Sequence, residues 1–185
     1  MWSEVAVTAC LGMLVFYLAF FFDFGIGEQY TLTKVMKHHP VSRVGLTFFV
    51  AFQQAFAGLY LCRFRSVLGW IGVGCLGISS LGWLTLITYL EGIQHDGGTV
   101  VYMVFVGLAW ALISALTAFH RQITPWDIAG YLLFAIIISL CVTFIVMYVS
   151  DMQAAWIPEN MAFILLDLYM MAFFAYNDPD PDLIF

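Results

Sequence analysis

The chain has 185 residues, of which 63% are hydrophobic and 10% charged. A soluble domain carries about a quarter of its residues as Asp, Glu, Lys and Arg, so a freely soluble protein is excluded. An aromatic content of 18% likewise excludes a disordered one. Acid exceeds base by 12 to 6, which argues against nucleic acid as a partner and leaves no polybasic run for anionic lipid.

Six spans of about 20 residues would use roughly 120 positions, about what the hydrophobic fraction supplies. The predicted class is therefore all-α: a polytopic transmembrane helical bundle of six spans. It forms a single membrane domain over 1–185, with no room for a soluble catalytic domain. Continuous apolar runs without alternation exclude a strand reading.

In chain order, the spans are expected at about 5–22, 44–62, 67–90, 99–119, 126–150 and 159–176. The first segment lacks a positive flank and reads as an uncleaved span rather than a signal peptide. A long first loop, about 23–43, holds Asp23, Glu28, Lys34, Lys37 and Arg43. Arg63 to Ser66 read as a tight turn, and Glu91-Gly-Ile-Gln-His-Asp-Gly-Gly98 as a polar loop whose paired glycines turn the chain into the fourth span. Thr124-Pro125-Trp126-Asp127 has an N-cap hydroxyl, a proline at the first helical position and an acid. Pro158-Glu159 reads as a similar helix start. The cysteines Cys10, Cys62, Cys75 and Cys141 all sit in or at the edge of apolar segments, so no disulfide framework is expected.

Asp167 is the most unusual residue. It lies inside the apolar run Phe163-Ile-Leu-Leu-Asp-Leu-Tyr-Met-Met171. A carboxylate at mid-bilayer is costly, so it should face the bundle and have a partner. No Lys or Arg falls within a span, which leaves Gln53, Gln54 or hydroxyls such as Ser79, Ser80, Ser114 and Thr143 as partners. Two readings follow: a proton or cation relay, or a protonated acid that hydrogen-bonds two helices together.

Other constellations are weaker. Gly72, Cys75, Ser79 and Gly82 recur at spacings of three, four and three, a small-residue seam suited to helix packing. His95, Asp96 and Glu91 share one loop, and His38 and His39 lie in the first loop. These suggest a metal or pH-sensing site, or simply a structural loop. Five methionines late in the chain, Met147, Met152, Met161, Met170 and Met171, suit gap-filling. Hydrolase, kinase and metalloprotease motifs are absent. No metal or other cofactor is called for. Bound lipid is expected.

The stretch from Leu68 to Leu90, with its Gly-Trp-Ile-Gly-Val-Gly-Cys-Leu-Gly-Ile-Ser-Ser-Leu-Gly-Trp core, continues through His95 and two glycines into 100–116. It resembles the Frag/DRAM/Sfk group of six-span membrane proteins over about a third of the chain. The resemblance implies six spans, cytosolic termini, a long first luminal loop and a non-enzymatic role in lipid handling or membrane trafficking. At residue level it carries over His95 alone. Two other functions fit the composition. One is an accessory membrane subunit of a larger, for example bioenergetic, complex, with protein partners inside the bilayer. The other is a small proton or ion channel or transporter using Asp167. Termini fray unless tied down, so order in the acidic tail around Asp178, Asp180 and Asp182 would point to a partner.

Orientation follows the short loops. Arg63 and Arg65 occupy the second loop and Arg121 the fourth, whereas the third and fifth hold no Lys or Arg. Both termini are thus expected in the cytosol. In a background without native cysteines, a cysteine at position 97 should label from the face opposite one at 122. Labelling of both from one side contradicts this topology.

Overall fold

The computed structural model describes residues 2–20, 31–120 and 122–177. Asp23, Glu28, Arg121 and the acidic tail from 178 lie outside the described residues. Within them the regular structure is entirely helical: α1 (Trp2–Phe20), α2 (Leu32–His38), α3 (Pro40–Cys62), α4 (Val67–Thr88), α5 (Ile93–His120), α6 (Pro125–Val149), one 3-10 turn (Gln153–Ala155) and α7 (Trp156–Tyr176). Helices α3 to α7, five in all, are long and apolar enough to cross a membrane. The described apolar stretch of α1, Glu4–Ala19, is shorter, so the span count is five, or six with α1. The all-α membrane bundle stands as read from the sequence.

Several boundaries differ from expectation. The first loop contains α2, and α3 already begins at Pro40. Thr31 caps α2 by accepting from Lys34 N, and Ser42 Oγ donates to His39 O at 2.6 Å, fixing the α2–α3 corner. The supposed polar loop at 91–98 is largely the first turns of α5, which starts at Ile93. Its turn is made by Gly92, at φ +86, and not by Gly97 and Gly98, which are helical. At the start of α7, Pro158-Glu159 lies inside the first turn rather than at the cap, because the helix begins at Trp156. At α6 the expected start holds. Thr124 N and Oγ1 both donate to Asp127 Oδ2 at 2.7 Å, and Asp127 N donates back to Thr124 Oγ1, a reciprocal cap.

The chain forms two compact units. One comprises Met1–Phe49 and Ala129–Asn177, the other chiefly Val50–Ile128. In the first, α1 buries Ala6, Cys10, Met13 and Tyr17, a four-three-four stripe along one helical face. The end of α1 meets the start of α7, where Tyr17 stacks on Phe163 at 6.1 Å, so the two helices run antiparallel. Phe16 covers Gly45 of α3 so closely that a Cβ there would lie 2.4 Å from its ring. Phe134 of α6 packs on Tyr169 at 5.7 Å. Only Ile137 and Phe144 of α6 are buried, and the rest of that apolar helix is half-buried or exposed.

In the second unit, α4 and α5 meet backbone to backbone. A Cβ on Gly82 would fall 2.6 Å from Tyr102 N and 2.9 Å from Gly98 O, and one on Gly98 would fall 2.8 Å from Leu86 N and 2.9 Å from Gly82 O. Small residues permit this approach, which replaces the missing hydrophobic drive between helices in lipid. Trp83 and Tyr102 close the joint at 5.1 Å. On the α3 side, Gly72 receives the Leu61 side chain, and Gly69 sits against Leu61 O. Cys75 and Ser79 are buried between these points.

Gly82→Ala should therefore destabilise the protein by about 1–3 kcal/mol, as overpacking against atoms that cannot retreat does. Gly74→Ala and Gly77→Ala, where a Cβ meets nothing within 4 Å, should be neutral or mildly stabilising because alanine favours the helix. Thermal or denaturant unfolding in detergent checks the contrast. Equal effects at all three glycines contradict it.

Candidate functional site

α7 carries both of the acids that are buried among the described residues, with a buried amide beside them. Glu159, Asn160 and Asp167 are 4%, 3% and 2% exposed. Asn160 and Asp167 stand seven residues apart, two helical turns, and so share one face. Asn160 is held from both sides: its Nδ2 donates to Trp156 O at 2.6 Å, and its Oδ1 accepts from the Tyr17 hydroxyl of α1. Beside it, Glu159 Oε2 accepts from Leu32 N, at the head of α2, at 2.9 Å. A carboxylate on the first turn of a helix is well placed electrostatically. Here it docks α2, whose Leu32, Val35 and Met36 are buried.

The Tyr17–Asn160 contact fixes the α1–α7 register. Seven residues back along α1 lies Cys10, and seven residues forward along α7 lies Asp167. At about 1.5 Å per residue in both helices, Cys10 and Asp167 stand at the same level. The resulting arrangement is a ladder on the α1–α7 seam: Glu159 and α2 at one end, then Tyr17 with Asn160, then Cys10 level with Asp167. Such a ladder can hold a proton on a carboxylate in a dry setting. It can also align donors and acceptors across two helices.

The glutamines expected as partners of Asp167 belong to the second unit, whereas Asp167 belongs to the first. Gln53 is buried. Gln54 clasps α4: its Nε2 donates to Ser79 Oγ at 3.0 Å, and its Oε1 accepts from Ser80. Ser79 and Ser80 also donate to Leu76 O. Ser114 and Thr143 return their protons to carbonyls four residues earlier, a common use of hydroxyls in apolar helices.

His95 is buried in α5 instead of projecting from a loop. Its Nδ1 lies 3.0 Å from Tyr89 O and 3.2 Å from Leu86 O. That nitrogen carries the proton and serves the last carbonyls of α4, which an ending helix leaves open. Asp96 occupies the first turn of α5, and Glu91 is exposed before it. His38 is exposed at the end of α2, and His39 is its C-cap. Among the described residues, no three or more His, Cys, Asp and Glu side chains gather as a metal site would need.

Sequence reasoning found Asp167 but missed Tyr17, Glu159 and Asn160. Glu159 was absorbed into a helix start, and Tyr17 is ordinary in an aromatic-rich span. The available signal was the four-three-four recurrence of Ala6, Cys10, Met13 and Tyr17, which puts a hydroxyl on one face of the first span.

Tyr17→Phe removes the donor to Asn160 and should cost about 1 kcal/mol, within the range seen for interhelical hydrogen bonds in membranes. In an Asn160→Leu background, the same change should cost much less. A double-mutant cycle in detergent or bicelles measures the coupling, and strict additivity contradicts the pairing. No family model, curated protein or solved structure matches the chain.

Proposed function

We propose that this integral membrane protein binds and passes protons, with Asp167 as the proton-carrying carboxylate and Glu159 as a second acid on the same helix. The observation that carries this reading is the burial of both acids, each at most 4% exposed, in a helix long and apolar enough to span the bilayer. An ionisable group inside a membrane is costly enough to signal function by default. A proton suits the site better than a metal cation. A proton needs one carboxylate, while hard cations need six or more oxygen ligands, and the described residues offer no such acidic cluster. In each cycle Asp167 takes a proton from one side and returns it to the other, ending as it began.

A second reading is supported by α6. Its outward apolar surface, including Leu132, Ile136, Val142 and Val146, suits lipid or a neighbouring subunit. This keeps open the lipid-handling role implied by the Frag/DRAM/Sfk resemblance and the accessory-subunit role. The segment bearing the resemblance, by contrast, is occupied with packing at Gly72, Gly82 and Gly98 and with the cap made by His95.

In vesicles loaded with a pH-sensitive dye, the parent should dissipate a proton gradient faster than empty vesicles. Asp167→Asn should lower that rate at least about tenfold, a loss of roughly 1.4 kcal/mol or more of barrier lowering, while the variant stays folded. Equal rates for variant and parent, or for parent and empty vesicles, contradict the proposal.

A further inference from the structure

We propose that the α3–α4 turn together with the last turn of α5 forms a binding site for the phosphate of an anionic lipid headgroup. The linear sequence has no basic run, but the fold of the second unit collects one. Arg63 and Arg65 lie in the turn after α3, and His120 ends α5. An aromatic clamp joins these pieces. Phe64 packs on Tyr60 at 5.5 Å and on His120 at 4.9 Å, and the Tyr60 and Thr117 hydroxyls share a hydrogen bond of 3.1 Å.

The basic groups are held by this frame. The Arg63 guanidinium lies over the Tyr60 ring, 5.6 Å from its centre, a cation–π placement that orients the fork. Arg65 sits at φ 42, so its exposed side chain leaves the turn in a direction an ordinary helical residue would not take. His120 Nδ1 is turned to Leu116 O at 2.8 Å, which holds the ring in place against Phe64 at the end of α5. Gly69 lets the start of α4 close against Leu61 O and so keeps the turn tight. The described acid at this end, Asp127, has Oδ2 committed to Thr124 N and Oγ1.

Depth selects a lipid as the source of the phosphate. The groups stand where the long apolar helices α3 and α5 end, and Phe119 and Trp126 are 80% and 72% exposed nearby. Exposed aromatic residues at span ends mark the headgroup layer. Arginine forks match phosphate oxygens in pairs. With a formal net charge of −6, the chain as a whole repels anions in bulk, so a phosphate is favoured only where these groups gather.

The test compares lipid retention of the purified full chain by native mass spectrometry, with phosphatidylglycerol and phosphatidylcholine of equal chain length. The parent should retain phosphatidylglycerol about thirtyfold better, the scale expected of two basic side chains at a membrane surface. Arg63→Gln with Arg65→Gln should bring the two lipids to parity, and Arg63→Lys with Arg65→Lys should keep most of the preference. Arg65→Gln alone, at an exposed position, should lower the preference and guards against misfolding of the double variant. Parity in the parent overturns the proposal, as does an undiminished preference in both glutamine variants. It is also overturned if inorganic phosphate displaces the bound phosphatidylglycerol at equal concentration.

Discussion

Gly82 and Gly98 bring the backbones of α4 and α5 so close that neither position has room for a methyl group. This contact shows the constraint under which the whole chain folds. Between helices in hydrocarbon, apolar side chains gain little by leaving lipid for protein, so association rests on close backbone packing and on hydrogen bonds. The second unit relies on the first device, extended by Leu61 over Gly72, and adds hydrogen bonds in the Gln54 clasp on Ser79 and Ser80. The first unit uses the second device: Tyr17 on Asn160, and Glu159 on the head of α2.

The two devices differ in what they permit. Glycine packing holds one geometry and carries no chemistry. Buried polar contacts hold a geometry only while each group is paired, and they place ionisable groups where water does not dilute their effect. α7 accepts the cost of two buried acids when a stable packing helix needs neither. That asymmetry between the units is the reason for locating the chemistry on α7 rather than on the small-residue seam of α4, although the seam is the more conspicuous pattern in the sequence.

The helices were legible because their apolar runs are long and their breaks are marked by Pro125 and by Arg63 to Ser66. Asp167 was legible because a lone acid in an apolar run is costly in lipid and stands out from its neighbours. Less could be read where the local pattern competes with tertiary use. Paired glycines at 97 and 98 look like a turn, but Gly98 is small because α4 presses against it. His95 looks like a loop residue, but it ends α4 from within α5. Tyr17 and Asn160 lie 143 positions apart, and nothing local announces their meeting. The basic end of the second unit is hidden for the same reason, since Arg63 and His120 come together only through the clamp of Phe64.

The central claim is that α7 carries a carboxyl group that accepts a proton in a dry site inside the membrane. The most direct measurement is labelling of the membrane-embedded protein with a hydrophobic carbodiimide, which couples to protonated carboxyl groups in apolar surroundings, followed by peptide mass mapping. The account predicts modification at Asp167 that falls as pH is raised and disappears in Asp167→Asn. Modification confined to the water-facing acids, such as Glu91, with Asp167 untouched at every pH, would contradict it.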